Sequence, residues 1–166
     1  MNAYTTAGWE ELFLAEAGAS AALGGLLFVA VSINLDRILA LRSVAGVAGA
    51  AIVLLVTVLV VATFALVPGQ PRWVLGAELL AVGIAVWLML TAIQVRALRV
   101  PIEGQPRYLA VVSLVTIQAG TLPFIVAGVS LLVRAGGGLY WLVPGVVFSL
   151  VVAVINAWVL LVEIVR

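Results

Sequence analysis

The residues that could do chemistry are few. Among the carboxylates in or beside long apolar stretches are Glu16, Asp36 and Glu78, and among the amides there are Asn34 and Gln118. Ionisable groups inside an apolar span are costly and are functional candidates by default, and carboxylate rings at the mouths of a lumen are one way that channels select cations. These five residues are therefore the candidate ion or pore contacts, with the acids coordinating and the amides lining a route. Other chemistry lacks its parts. The chain has no cysteine and no histidine, which removes disulfides, thiol nucleophiles, the usual zinc ligand sets and the commonest general base. Ser20, Ser32, Ser113 and Ser149 have no base to activate them, and no phosphate-binding or dinucleotide motif is present. The expectation is a non-enzyme without cofactor or metal.

The elements that must position these residues are readable from composition. Of 166 residues, 66% are hydrophobic and 9% charged, and the mean hydropathy is +1.34. Soluble domains are nearer half apolar and a quarter charged, so the chain reads as an all-α, multi-pass membrane protein. A span needs ~20 mainly apolar residues. Five such stretches are expected in one transmembrane domain, at about 18–40, 44–67, 73–95, 108–133 and 139–164, after a short interfacial segment over 1–17. Trp9, Leu12, Phe13 and Glu16 in that segment are helix-spaced, so Thr6 to Ala17 reads either as an amphipathic turn or two at the interface or as an extension of the first helix. The segment lacks the positive start and the cleavage site of a secretory signal, so no processing is expected.

The first stretch is the most distinctive. Gly18, Ala22, Gly25, Val29, Ser32 and Asp36 fall on one helical stripe, with Glu16, Ser20, Leu27, Val31 and Asn34 on the next. Small residues let helices approach closely in lipid, so Gly18, Ala22 and Gly25, with Gly49 in the second stretch, are packing candidates. The stripe suits either a neighbouring helix of the same chain or the lumen of a homo-oligomer.

Further along, Pro68 to Pro71 reads as a tight turn. Glu78 lies about 8 Å inside the third span at 1.5 Å per residue. It reads either as a proton or cation site or as an interfacial carboxylate paired with Arg72 or Arg134. Pro123 removes an N–H in the fourth span, so a kink is expected there. Asn34, Gln94, Gln118 and Asn156 fall in the same half of their spans. They could form one polar cavity or separate interhelical bonds. Trp73, Tyr140 and Trp141 suit aromatic belts.

All eight basic residues are arginine. Arg37, Arg42, Arg96, Arg99, Arg107 and Arg166 fall on one side of a five-span topology, and Arg72 and Arg134 on the other. Positive charge stays cytoplasmic, so the N-terminus is expected outside and the C-terminus inside. The net charge of +1 gives no reason to expect nucleic acid. The Ala, Val, Gly, Leu and Arg bias suggests a bacterial inner membrane.

The segment Gly18 to Ile38, GASAALGGLLFVAVSINLDRI, resembles a motif of small uncharacterised bacterial multi-span membrane proteins. The resemblance covers the first span only and implies no function. Ser20 to Leu35 is also similar to the first helix of the Orai calcium channels in its small-residue stripe. That family's pore glutamate falls at Ile33 here, and its N-terminus is cytoplasmic where this one is expected outside, so the likeness is set aside. Two functions remain: a homo-oligomeric ion channel or small-solute pathway, or a non-catalytic accessory subunit that binds lipid or another membrane protein.

Overall fold

The computed structural model describes residues 2–33, 35, 42–99 and 107–165. Asn34, Asp36, Arg37 and the 100–106 part of the third loop lie outside the described residues. The chain forms helices α1 (Glu10–Ile33), α2 (Arg42–Ala65), α3 (Arg72–Arg99), α4 (Arg107–Val133) and α5 (Leu142–Val165), with a 3₁₀ turn at Gly138–Trp141 leading into α5. Five helices are long and apolar enough to cross a membrane. Four of the five start close to where hydropathy places them. The exception is α1, which begins at Glu10 rather than near Gly18. Its start has local causes. The Trp9 N–H donates to the Thr6 carbonyl (2.9 Å), and the Phe13 N–H to that of Trp9 (3.0 Å). The Glu10 carboxylate reaches back to the Gly8 N–H (2.7 Å), and Glu10 and Glu11 in the first turn suit the positive end of the helix dipole. Trp9 stacks on Phe13 with ring centroids 6.1 Å apart. The second half of the segment before the first apolar run is thus helix, from Glu10 on.

The helices group into two compact units. In the first, α1 packs on α2. Leu27, Ala48, Ala51, Leu55 and Ala153 form a buried cluster, flanked by Leu23, Val31, Ile52, Leu150 and Ala157. The Ser20 hydroxyl donates to the Leu55 carbonyl (2.5 Å). The buried side of α1 is Phe13, Glu16, Ser20 and Leu27, the stripe beside the small one. Gly18, Ala22 and Gly25 are exposed, and a Cβ built on Gly18, Gly25 or Gly49 meets nothing within 4 Å. Among the described residues of the first unit, no close approach is made at these glycines.

The second unit is built on α3 against α4. A Cβ on Gly128 would lie 2.7 Å from the Leu80 nitrogen and 2.9 Å from the Gly76 oxygen. One on Gly76 would lie 3.2 Å from the Gly128 oxygen, and one on Gly83 3.0 Å from Ile125 Cγ1. The two backbones therefore touch, as small residues permit. α4 continues through Pro123 as one helix. Pro123 and Phe124 abut Gly145 of α5, where an added Cβ would lie 3.2 Å from each.

α4 ends in a Schellman-type cap. The Ala135 N–H donates to the Ser130 carbonyl (3.2 Å), and Arg134 takes the left-handed conformation, φ 60°. Glycine is usual at that position; a residue with a Cβ costs roughly 1–2 kcal/mol there. Buried Ser130 ties the turn together: its hydroxyl donates to the Ala135 carbonyl and accepts from the Gly138 N–H (2.7 Å). Residues 3–5 fold onto this turn. The Leu139 N–H donates to the Ala3 carbonyl (2.8 Å), and the Gly137 N–H to the Tyr4 hydroxyl (3.3 Å).

The two sets of glycines should therefore respond differently to substitution. Gly128→Ala should lower stability by about 1–3 kcal/mol through overpacking, whereas Gly18→Ala should leave the monomer at least as stable. Thermal unfolding in detergent, followed by circular dichroism, checks both; equal effects at the two sites would remove the distinction.

Candidate functional site

Polar groups in the second unit follow the α3–α4 seam. Arg72, Gly76, Leu80, Gly83, Trp87 and Thr91 lie on one face of α3, spaced four, four, three, four and four, and that is the face α4 meets. The stretch rises about 28 Å at 1.5 Å per residue, close to the ~30 Å thickness of a hydrocarbon core. At one end the Arg72 guanidinium donates to the Leu131 carbonyl and to that of Leu132 (3.4 Å). These belong to the last turn of α4, whose carbonyls have no intrahelical partner. In the far half, Gln118 joins both helices: its Oε1 accepts from Trp87 Nε1 (2.5 Å) and its Nε2 donates to Thr91 Oγ1 (3.2 Å). Gln118 is thus fixed by two partners on α3, which is the geometry of an interhelical bond.

Glu78 lies off this face and is half-buried. It accepts from Gln70 Nε2 (2.6 Å), eight residues earlier. The expected arginine partner is engaged elsewhere, since Arg72 serves the α4 terminus. The carboxylate instead ties the Gln70 turn to α3, whose first turn is launched by the Pro71 carbonyl accepting from the Val74 N–H (3.0 Å) and the Leu75 N–H (3.2 Å).

Glu16 is different. It lies on the buried side of α1 with 8% of its surface exposed, and its Oε2 is buried with no hydrogen-bond partner among the described residues. Ser20, one turn on, spends its hydroxyl on Leu55. A buried carboxylate oxygen without a donor is energetically costly and tends to acquire a proton, a cation or a donor. Of the candidate residues whose side chains are described, Glu16 alone keeps open hydrogen-bonding capacity of this kind.

Asn34 and Asp36 lie outside the described residues. Gln94 and Gln118 belong to the second unit and Asn156 to the first. Gly18, Ala22, Gly25 and Gly49 form exposed faces of α1 and α2. No group of three or more acidic, histidine or cysteine residues placed to hold a metal occurs among the described residues. Sequence reasoning missed Trp87 and Ser130. The spacing of Trp87 from Gly83 and Thr91 along one helical face was the available signal for the first; Ser130, one of several serines in apolar helices, offered none.

No protein-family model, curated protein or solved structure matches the chain. What the fold defines is an all-helical protein with five helices suited to crossing a membrane.

If the Gln118 bonds hold the seam, a double-mutant cycle with Trp87→Phe and Gln118→Leu should give a coupling of about 0.6–1.7 kcal/mol, the range of interhelical bonds in membranes. Unfolding in mixed micelles measures it. Strictly additive effects would show that the Trp87–Gln118 bond contributes nothing.

Proposed function

We propose that this chain is a homo-oligomeric integral membrane protein forming an ion channel or small-solute pathway, with α1 at the contact between copies. The observation that carries the reading is the contrast between glycines. Gly76, Gly83, Gly128 and Gly145 on α3, α4 and α5 are covered at van der Waals distance or closer, while Gly18, Gly25, Gly46 and Gly49 of α1 and α2 meet nothing within 4 Å. A glycine facing lipid packs poorly, whereas one facing another helix permits close approach. An exposed small face on each of two adjacent helices suits a second copy of the chain. Glu16 supports the pathway part: it is a buried carboxylate on α1 with an unpartnered oxygen. It can serve as an ion contact, with Asp36 at the other mouth by sequence. The arginine distribution supports insertion with the N-terminus outside, and the Ala, Val, Gly, Leu and Arg bias supports a bacterial cytoplasmic membrane.

Native mass in nanodiscs tests assembly, and cation flux into liposomes tests transport. The expected result is a multiple of the 17.3 kDa chain and a flux that Glu16→Gln alters severalfold without changing the mass. Gly25→Leu should break the oligomer into folded monomers. A single copy would overturn the proposal. One copy bound to a different membrane protein would replace it with the accessory-subunit reading.

A further inference from the structure

We infer that Arg134, in the turn after α4, is a binding residue for the phosphate of an anionic phospholipid headgroup. The inference rests on the helices crossing a membrane and is independent of oligomerisation and transport.

Arg134 occupies the left-handed position of the α4 cap, where glycine would fit without strain. Glycine is abundant in the same turn: Gly136, Gly137 and Gly138 all have positive φ, at 86°, 105° and 55°. The turn therefore uses glycine freely, yet carries an arginine at a strained position. Strain of this kind, once observed, asks for a function.

A cation after a helix can serve the helix dipole and its open carbonyls. That role is filled, because the Leu131 and Leu132 carbonyls accept from Arg72. The Ser130 carbonyl accepts from the Ala135 N–H, and the Ala135 carbonyl accepts from the Ser130 hydroxyl. The turn is closed by its own groups, and Arg134 is exposed.

Its surroundings match a membrane interface. Trp141 donates its indole N–H to the Gly136 carbonyl (2.6 Å) and lies against Gly137, where an added Cβ would sit 3.3 Å from its Nε1. It remains 40% exposed, with Tyr140 at 52% and Trp73, next to Arg72, at 64%. Exposed aromatic residues at the end of a membrane-length helix pair belong at headgroup depth. The Arg72 bonds to Leu131 and Leu132 put the start of α3 and the end of α4 at the same level. A guanidinium at that level presents a planar fork of N–H donors matched to phosphate oxygens.

The test is thermal unfolding of the full chain in detergent micelles, alone and doped with phosphatidylglycerol or phosphatidylcholine. For the native chain, phosphatidylglycerol should raise the midpoint more than phosphatidylcholine does. Arg134→Gly should raise the midpoint in detergent alone, by removing the strain, and abolish the excess given by phosphatidylglycerol. Arg134→Lys should keep the lower detergent midpoint and part of the excess. Three results would overturn the inference: a full phosphatidylglycerol excess in Arg134→Gly, a lowered detergent midpoint in Arg134→Gly, which would make the arginine a cap, or an equal rise with inorganic phosphate at matched ionic strength, which would indicate a free-anion site.

Discussion

The backbone contact between α3 and α4 is the constraint on which the second unit depends. In lipid, apolar side chains gain little from leaving one apolar surface for another, so association relies on close packing and polar bonds. Gly128 provides the packing, since its missing side chain is the space that the backbone of Gly76 and Leu80 fills. Close approach alone would tolerate sliding by a helical turn. Arg72 on the last carbonyls of α4 and Gln118 between Trp87 and Thr91 oppose sliding from the two ends. Glycines bring the helices together and polar side chains set their register.

α5 has to meet two sets of demands. Its first turns, through Phe148, belong to the second unit, and from Ser149 onward it belongs to the first. Gly145 admits Pro123 and Phe124, while Ala153 enters the cluster with Leu27, Ala48, Ala51 and Leu55. Both positions are small for the same reason: each receives a neighbouring helix. The N-terminal residues 3–5 likewise serve the second unit although the helix that follows them serves the first. Their backbone and tyrosine bonds to the 137–139 turn close that end of the unit.

Hydropathy made the number of helices and most of their limits legible, because each span is a long apolar run bounded by arginine, proline or glycine. It misplaced the start of α1, where three glutamates lower the local average although the backbone and Glu10 favour helix from that point. The small stripe of α1 is readable as small, but composition does not say which side of a helix its own chain covers. The buried side is the adjacent stripe, which contains Glu16. The partners of polar residues were the least legible. Glu78 is joined to Gln70 across a turn rather than to Arg72, and Gln118 to Trp87 and Thr91 on the preceding helix. Both follow from how α3 begins and how it pairs with α4, and neither relation is periodic in the sequence. Gly128 looked like any glycine in an apolar helix, because what distinguishes it is the residue opposite.

The contrast between the units bears on where function resides. In the second unit, Arg72, Glu78, Thr91, Gln118 and Ser130 all have partners within the chain, and each partner is spent on holding helices or turns in register. Such groups are poor candidates for contacts with a moving ion, because using them would break the bonds that maintain the seam. The first unit differs in its acid: the buried oxygen without a partner among the described residues belongs there to a carboxylate, Glu16, whereas in the second unit it belongs to an amide, Gln70. Its interior includes an aliphatic cluster, with the Ser20 and Thr57 hydroxyls bonded to backbone carbonyls, while Gly18, Gly25 and Gly49 meet nothing within 4 Å. On the proposed reading, the unsatisfied oxygen and the exposed small face of α1 are used by an assembly of copies. Placing the oligomer contact and the ion contact together on α1 therefore assigns both roles to the groups that the chain's own folding leaves uncommitted.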